Sequence, residues 1–386
     1  PNPGWSEQNP EDWWQACIQA LNNISTSNPA AYKKIKSIGM SGQMHGATLL
    51  DKKGMALRPA ILWNDGRCAS QCITLEQRAL KLRQLTGNRA MPGFTAPKLL
   101  WIAEHEPKIF QKIHKVLLPK DYIRYRMSGH FVADMSDAAG TLWLDVAKRC
   151  WSEELLEACN LQIKHMPELC EGSVKSSELS VDAAAQLGLT PGITIAGGGG
   201  DNACAAIGVG AVTAGKSFIS LGTSGVYFVA NEKFSPNPDQ GMHAFCHALP
   251  NTWHQMSVAL SAASCLDWIA QLTGFNSVEA LLAEVEAQQP QPASLLFLPY
   301  LSGERTPHND PNARGIFFGL THSTTRAELG RAVLEGVAFS FADGQQALLQ
   351  GGAKIEDIAV VGGGSRNRMW GEILASVLQQ PLNYLV

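Results

Sequence analysis

Positive charge is not in surplus in this chain. Its 31 lysines and arginines meet 34 aspartates and glutamates, a formal net charge of −3 at pH 7. The basic residues are also dispersed, so no electrostatic footprint for nucleic acid is present. No apolar run is long enough to cross a bilayer and no secretory pattern opens the chain, so a cytoplasmic location without a membrane partner is expected. The Gly-x-x-x-x-Gly-Lys-Ser/Thr pattern is missing, which excludes a P-loop enzyme. Cys-x-x-Cys spacing is missing too. The nine cysteines are an odd, scattered set whose closest pair, Cys68 and Cys72, lies four residues apart. Buried, inert thiols in a reducing compartment are expected. His45 and His308 have no partner at ligand spacing, so no protein-built metal site is expected.

What is present is an ordinary globular composition, 45% hydrophobic and 17% charged over 386 residues, long enough for two domains. Apolar strand-like runs alternate with helical patterns in both halves, which makes each half α/β. The character changes between Gly208 and Lys216, so domains of residues 1–212 and 213–386 are expected. The patterns predict helices over 13–21, 68–86, 257–274, 278–288 and 327–351. Strands are expected over 35–40, 217–221, 226–230, 295–298 and 358–361. A hairpin is expected to join 47–50 to 55–62. The Gln288-Gln289-Pro290-Gln291-Pro292 segment reads as a break, and Leu385-Val386 reads as the inside of a strand.

The chemistry concentrates in glycine turns. Ala196-Gly197-Gly198-Gly199-Gly200-Asp201-Asn202-Ala203 follows an apolar strand and opens a helix. Glycines let backbone approach a ligand closely, and a helix N-terminus favours an anion. A single carboxylate there, Asp201, suits a general base acting on a hydroxyl beside a phosphate. The alternative is an aspartate that merely caps the helix. A second turn, Gly222-Thr223-Ser224-Gly225, lies between two apolar strands and offers N–H groups and two hydroxyls to a phosphate, or is a plain hairpin turn. A third, Gly362-Gly363-Gly364-Ser365-Arg366-Asn367, follows a strand and suits adenosine or phosphates at a helix start. It lacks Gly-x-Gly-x-x-Gly spacing, which disfavours a dinucleotide fold. Gln43-Met44-His45 ends a strand and suits a polyol, or is structural. Trp63-Asn64-Asp65-Gly66-Arg67 is a ligand loop or a charged turn, and Gly303-Glu304-Arg305-Thr306-Pro307-His308 an ordered polar loop. Together the turns point to phosphoryl transfer to an alcohol.

These segments resemble the FGGY family of carbohydrate kinases, over essentially the whole chain. Gly93-Phe94-Thr95-Ala96-Pro97-Lys98-Leu99-Leu100-Trp101 is similar to the family's first signature. Gly315-Ile316-Phe317-Phe318-Gly319-Leu320, continuing through Glu328-Leu329 and Ala332-Val333-Leu334-Glu335, is similar to its second. The loops at 41–46, 61–67 and 301–307 resemble those of ketopentose-phosphorylating members. The resemblance implies two actin-like ATPase (ribonuclease H-like) domains flanking a deep cleft, sugar on the first and nucleotide on the second. It implies ATP-dependent phosphorylation of D-xylulose to D-xylulose 5-phosphate, with Mg²⁺ carried on the nucleotide. Ribulose, gluconate or glycerol as acceptor, or a non-catalytic sugar-sensing module, are the alternatives.

Residue by residue, the resemblance implies Asp201 as base, with Met44, His45 and Asn202 at the ketose. Gly222, Thr223 and Ser224 match the family's second phosphate loop, and Gly363, Gly364 and Asn367 its adenosine region. A homodimer is implied as well. The family's first phosphate hairpin, an Asp-x-Gly-Thr-Ser/Thr, is absent, as is the C-terminal helical part. Both domains are therefore expected to be truncated at the chain ends, and a polypeptide of this extent alone is expected to be inactive or poorly folded.

Overall fold

The computed structural model describes residues 2–288 and 291–384. Pro1, Gln289, Pro290, Leu385 and Val386 lie outside the described residues, and with them the middle of the 288–292 break and the strand expected at the last two positions. The chain divides into two compact units: Pro1–Ala205 with Phe245–Thr252, and Ala206–Ala244 with Trp253–Val386. Helices and strands alternate in both. No described helix is long and apolar enough to cross a membrane.

In the first unit the helix Pro10–Ser27 starts at Asn9, whose Oδ1 accepts from Glu11 N (3.3 Å), with Pro10 in the first turn where an N–H would have no partner. Its Trp14 is fully buried among Leu50, Leu117, Tyr122 and Ile195. The strand Thr194–Ala196 lies between Ser37–Ile38, parallel to it, and Lys175–Glu178, antiparallel. Just beyond, Gly199–Gly200 runs parallel to Ser41–Gly42, with Gly199 opposite Ser41 and Gly200 opposite Gly42. Side chains would prevent this approach. A Cβ at Gly198 (φ +73°) would stand 2.2 Å from Met40 O, and one at Gly42 2.9 Å from Lys120 Cβ.

Beneath this glycine pairing lies a fully buried charge cluster. Lys120 Nζ sits 2.5 Å from Asp121, 2.6 Å from Asp134 and 3.3 Å from Asp137. Arg124 pairs with Asp121 at 3.1 Å and donates to Val132 O at 2.6 Å. Burial works to strip the Lys120 proton, but the three carboxylates hold its pKa above the ordinary lysine value. Burial also raises Asp121 and, more strongly, Asp137.

The second unit is organised by five neighbouring strands of one sheet in the order Trp253–Ala259, Gly225–Asn231, Lys216–Leu221, Asp357–Val361, Leu382–Tyr384. Lys216–Leu221 pairs antiparallel with Gly225–Asn231 and parallel with Asp357–Val361. The 25-residue helix Arg326–Gln350 packs on this sheet, capped by Thr325 Oγ1, which accepts from Glu328 N (3.2 Å). A Cβ at Gly336 of this helix would stand 2.3 Å from Phe297 O, so glycine sets the close approach.

Two expectations of secondary structure are corrected. The helix expected over 257–274 is Ser264–Leu272; its first residues belong to the strand Trp253–Ala259, which pairs along its whole length with Gly225–Asn231. That pairing overrides the weak strand propensity of Met256, Ser257 and Ala259. The helix expected over 68–86 is two, Ala69–Arg78 and Leu82–Thr86, with residues 79–81 in neither. The expected 47–62 hairpin is present: Gly54 N donates to Asp51 O (3.0 Å) at its turn, Leu57 N to Leu49 O (2.9 Å) and Ala47 N to Ile61 O (3.1 Å). On its other edge Thr48–Leu50 pairs antiparallel with Lys115–Leu117, which sets buried Leu49 opposite buried Val116.

Removing the central cation should be costly, because it strands buried carboxylates. Lys120→Met is expected to lower stability by about 3–5 kcal/mol in urea unfolding at neutral pH. A loss below about 1 kcal/mol, the range of an exposed pair, would contradict the buried cluster.

Candidate active site

The register of Gly199–Gly200 against Ser41–Gly42 brings the Asp201 turn alongside the loop that carries Met44 and His45. Met44 is buried, and its Cγ and Sδ lie 2.9 and 3.0 Å from where a Cβ on Gly200 would project. Its methyl and the His45 ring also close on Gly140, each 2.7 Å from a Cβ there. Three backbone segments thus pack on one another through glycine faces.

Asp201 opens the helix Asp201–Gly208. Its Oδ1 accepts from Asn202 N at 2.9 Å and from Asn202 Nδ2 at 3.2 Å. The side chain is reached by solvent, yet the protein crowding it desolvates the carboxylate and raises its pKa above the ordinary aspartate value, against the pull of the Asn202 donors. A solvent-reachable carboxylate with a raised pKa can accept a hydroxyl proton more readily than an ordinary one.

His45 takes a left-handed backbone conformation, φ +70°, which a residue with a side chain adopts at a cost. Its surroundings hold it there. His45 Nδ1 lies 2.7 Å from Gly140 O; a carbonyl only accepts, so Nδ1 carries the proton in that bond. The ring packs edge-on against Phe94 at 4.7 Å. Its own carbonyl accepts from Thr95 Oγ1 (3.2 Å) and Lys98 Nζ (2.8 Å), and Lys98 also donates to Gly93 O (2.7 Å). The family-like 93–101 segment is therefore the brace of the His45 loop. Lys98 is fully buried, and burial lowers its pKa to about 7. A neutral amine keeps two N–H groups, enough for both carbonyls.

In the second unit, Gly222, Thr223, Gly363, Gly364 and Asn367 line a single cavity of about 950 Å³, with Asp267, Ser277 and Trp370 also on its wall. Thr223 O accepts from Ala262 N (3.0 Å) and Ser264 Oγ (2.8 Å), and Gly222 O from Ala263 N (2.9 Å), which ties the turn's carbonyls to the chain entering the next helix. A Cβ on Gly363 would meet nothing within 4 Å, so bare backbone faces open space there. Ser224 is exposed and is not on the cavity wall. Asn367 caps the helix Arg368–Leu378, its Oδ1 accepting from Trp370 N (2.8 Å). The cavity, its bare glycines and a helix start fit a nucleotide.

Other expected features have structural partners. Asp65 is buried and accepts from Ser6 N (2.6 Å) and from the Arg67 guanidinium (2.7 and 2.9 Å), which stands 3.6 Å over the Trp5 ring. Burial would raise Asp65, but these donors hold it below the usual carboxylate range. His308 lies 2.9 Å from Tyr300 Oη, and Glu304 is buried, accepting from Leu260 N (3.0 Å). All nine cysteines are free; Cys68 and Cys72 are buried and pushed up to about 12, while Cys150 is exposed. Among the described residues, one carboxylate group has metal-ligand spacing, Asp121, Asp134 and Asp137, and the Lys120 ammonium occupies its centre.

Comparison with known proteins agrees with this architecture. The model of the N-terminal domain of the FGGY family of carbohydrate kinases matches residues 1–208, and that of its C-terminal domain residues 217–385. The xylulose kinase of Escherichia coli (strain K12) is 53% identical over 100% of this chain and 79% of its own. The crystal structure of a xyloylose kinase from Brucella ovis superposes with a TM-score of 0.97 at 49% identity, over 100% of this chain and 79% of that one. The xylulose kinase structure from Rhodospirillum rubrum gives 0.93 at 29% identity, again over 100% and 79%. This chain belongs to the FGGY family of carbohydrate kinases: it is a phosphotransferase with the family's two-domain, actin-like ATPase fold.

Lys98 yields a pH-dependent expectation. An unfolded lysine titrates near ~10.4, so above roughly pH 7 the unfolded chain binds a proton that folded Lys98 has released, and its contribution to stability rises with pH. Urea midpoints of the wild type should therefore climb relative to Lys98→Met between roughly pH 7 and 9. Parallel curves would contradict a desolvated Lys98.

Proposed function

We propose that this chain transfers the γ-phosphoryl group of ATP to D-xylulose, giving D-xylulose 5-phosphate and ADP. The observation that carries the reading is the pairing of Gly199–Gly200 with Ser41–Gly42, which sets one raised-pKa carboxylate beside the Met44–His45 loop. Relatives named xylulose kinase, at up to 53% identity over the whole chain, support the choice of sugar.

In this reading Asp201 accepts the proton of the ketose terminal hydroxyl as its oxygen attacks the γ-phosphorus in line and ADP leaves. The proton then passes to solvent. Asn202 holds the Asp201 carboxylate through Oδ1 and touches the sugar. Met44 packs on the sugar's carbon face, and His45, braced by Lys98 and Gly140, orients its hydroxyls. Gly222 and Thr223 on the cavity wall receive the phosphates, with Ser224 reaching them from the exposed side of the same turn, and Gly363, Gly364 and Asn367 receive the adenosine. Mg²⁺ arriving on the nucleotide would neutralise charge on the transferring group.

Replacement of Asp201 separates activity from stability. Asp201→Asn is expected to lower kcat by about 10²–10⁴-fold, the usual worth of a general base. Because the folded pKa is raised, the ionised carboxylate costs stability above the unfolded value of roughly 4, so the same variant should melt higher than the wild type at neutral pH. In the wild type, activity should fall as pH drops through the raised pKa of Asp201. Near-normal D-xylulose phosphorylation by Asp201→Asn would remove Asp201 from the base role.

A further inference from the structure

The helix that carries Asp201 begins directly after Gly200, so the peptide joining the two residues sets where the carboxylate starts. Gly200 N donates to Ser136 Oγ at 3.0 Å, in a buried setting. The same hydroxyl donates to Asp134 Oδ1 at 2.5 Å. A serine hydroxyl has one proton, and giving it to Asp134 turns its lone pairs toward Gly200. Asp134 is itself immobilised: Oδ1 also accepts from Ser136 N (2.9 Å) and Asp137 N (3.1 Å), and Oδ2 lies 2.6 Å from Lys120 Nζ. The donors converge on Asp134: the Gly200 amide gives to Ser136, Ser136 gives to Asp134 Oδ1, and the buried ammonium faces Asp134 Oδ2.

The other end of the turn is held from the same cluster, because Arg124 Nη2 donates to Gly197 O. Glycine at 199 is what lets Ser136 come this near, since a Cβ there would stand 3.1 Å from Ser136 Oγ and 3.0 Å from Ala248 Cβ. Ser136 is 1% exposed, so it has no surface to offer a substrate. Whatever it contributes reaches the reaction through Gly200.

We propose that Ser136 is a positioning residue for phosphoryl transfer: oriented by Asp134, its hydroxyl fixes the Gly200–Asp201 peptide so that the Asp201 carboxylate meets the attacking hydroxyl in line. The inference rests on the reading of Asp201 as the base. A reacting group misplaced by about 1 Å can lose 10²-fold in rate. The sugar contacts of His45, which Lys98 and Gly140 brace, do not ride on this peptide, so the signature falls chiefly on kcat rather than on KM.

The test compares Ser136→Ala, Ser136→Thr and Asp201→Asn in the intact protein by coupled ADP release, with D-xylulose and ATP each varied. Ser136→Ala is expected to lower kcat tenfold or more while both KM values stay within threefold. Ser136→Thr, which keeps the hydroxyl, should recover most of that loss. Titration calorimetry with D-xylulose alone should give Ser136→Ala an affinity within threefold of the wild type, which a general collapse of the fold would not. A Ser136→Ala kcat within threefold of the wild type overturns the inference. So does an equal loss in the alanine and threonine variants, or a fall in xylulose affinity that matches the fall in kcat. If Asp201→Asn is inactive while Ser136→Ala is unimpaired, this inference fails alone. Near-normal turnover by Asp201→Asn removes the base reading and this inference together.

Discussion

A lysine ammonium enclosed by three carboxylates is the interaction on which the first unit depends. Lys120 and its partners are fully buried, where unpaired charge is heavily penalised, so the cluster holds together only as a set. Its members reach outward to the turn that matters. Asp134 orients Ser136, Ser136 takes the Gly200 amide, Arg124 gives to the Gly197 carbonyl, and the Lys120 Cβ abuts Gly42 of the strand pair. Buried charge here acts as a rigid mount for flexible glycine backbone. The backbone that is freest to move is thus tied to the atoms least free to do so.

Glycine has a consistent use in both units, close approach rather than flexibility. In the first unit, bare backbone at 197–200 lets strand, loop and helix start pack within van der Waals contact of Met40, Glu171 and Met44. In the second, Gly364 lies where a Cβ would stand 2.5 Å from Trp370, while Gly363 faces open space on the cavity wall. A packing glycine and a glycine facing the cavity sit side by side in one turn. A helix start follows at each place, which adds the partial positive charge suited to phosphate or to a carboxylate.

Much of this was legible in the chain. Alternating apolar patterns give the α/β class, and the strand, glycine and helix order around Asp201 and around Gly362 appears where the patterns predict it. Family resemblance supplied the two-domain fold and the kinase class. The supporting residues were hidden because their signal is ordinary in sequence. Lys120 and Asp121 are two charges at the edge of an apolar run, Lys98 is one lysine in a helix, and Asp134-Met135-Ser136-Asp137 reads as a helix cap, which it also is. What distinguishes them is burial, and burial depends on neighbours far along the chain. The strand Trp253–Ala259 was concealed for the same reason, since its pairing partner supplies the preference its own residues lack.

The central claim is that the Asp201 turn and the Met44–His45 loop together make a ketose phosphotransfer site. Its most direct test is coupled ADP release by the intact protein with ATP, in the presence and absence of D-xylulose, set against D-ribulose, gluconate and glycerol. ADP release that depends on D-xylulose, with the highest kcat/KM of the four acceptors, is the predicted result. ADP release indifferent to sugar, or dominant turnover of another acceptor, would contradict it.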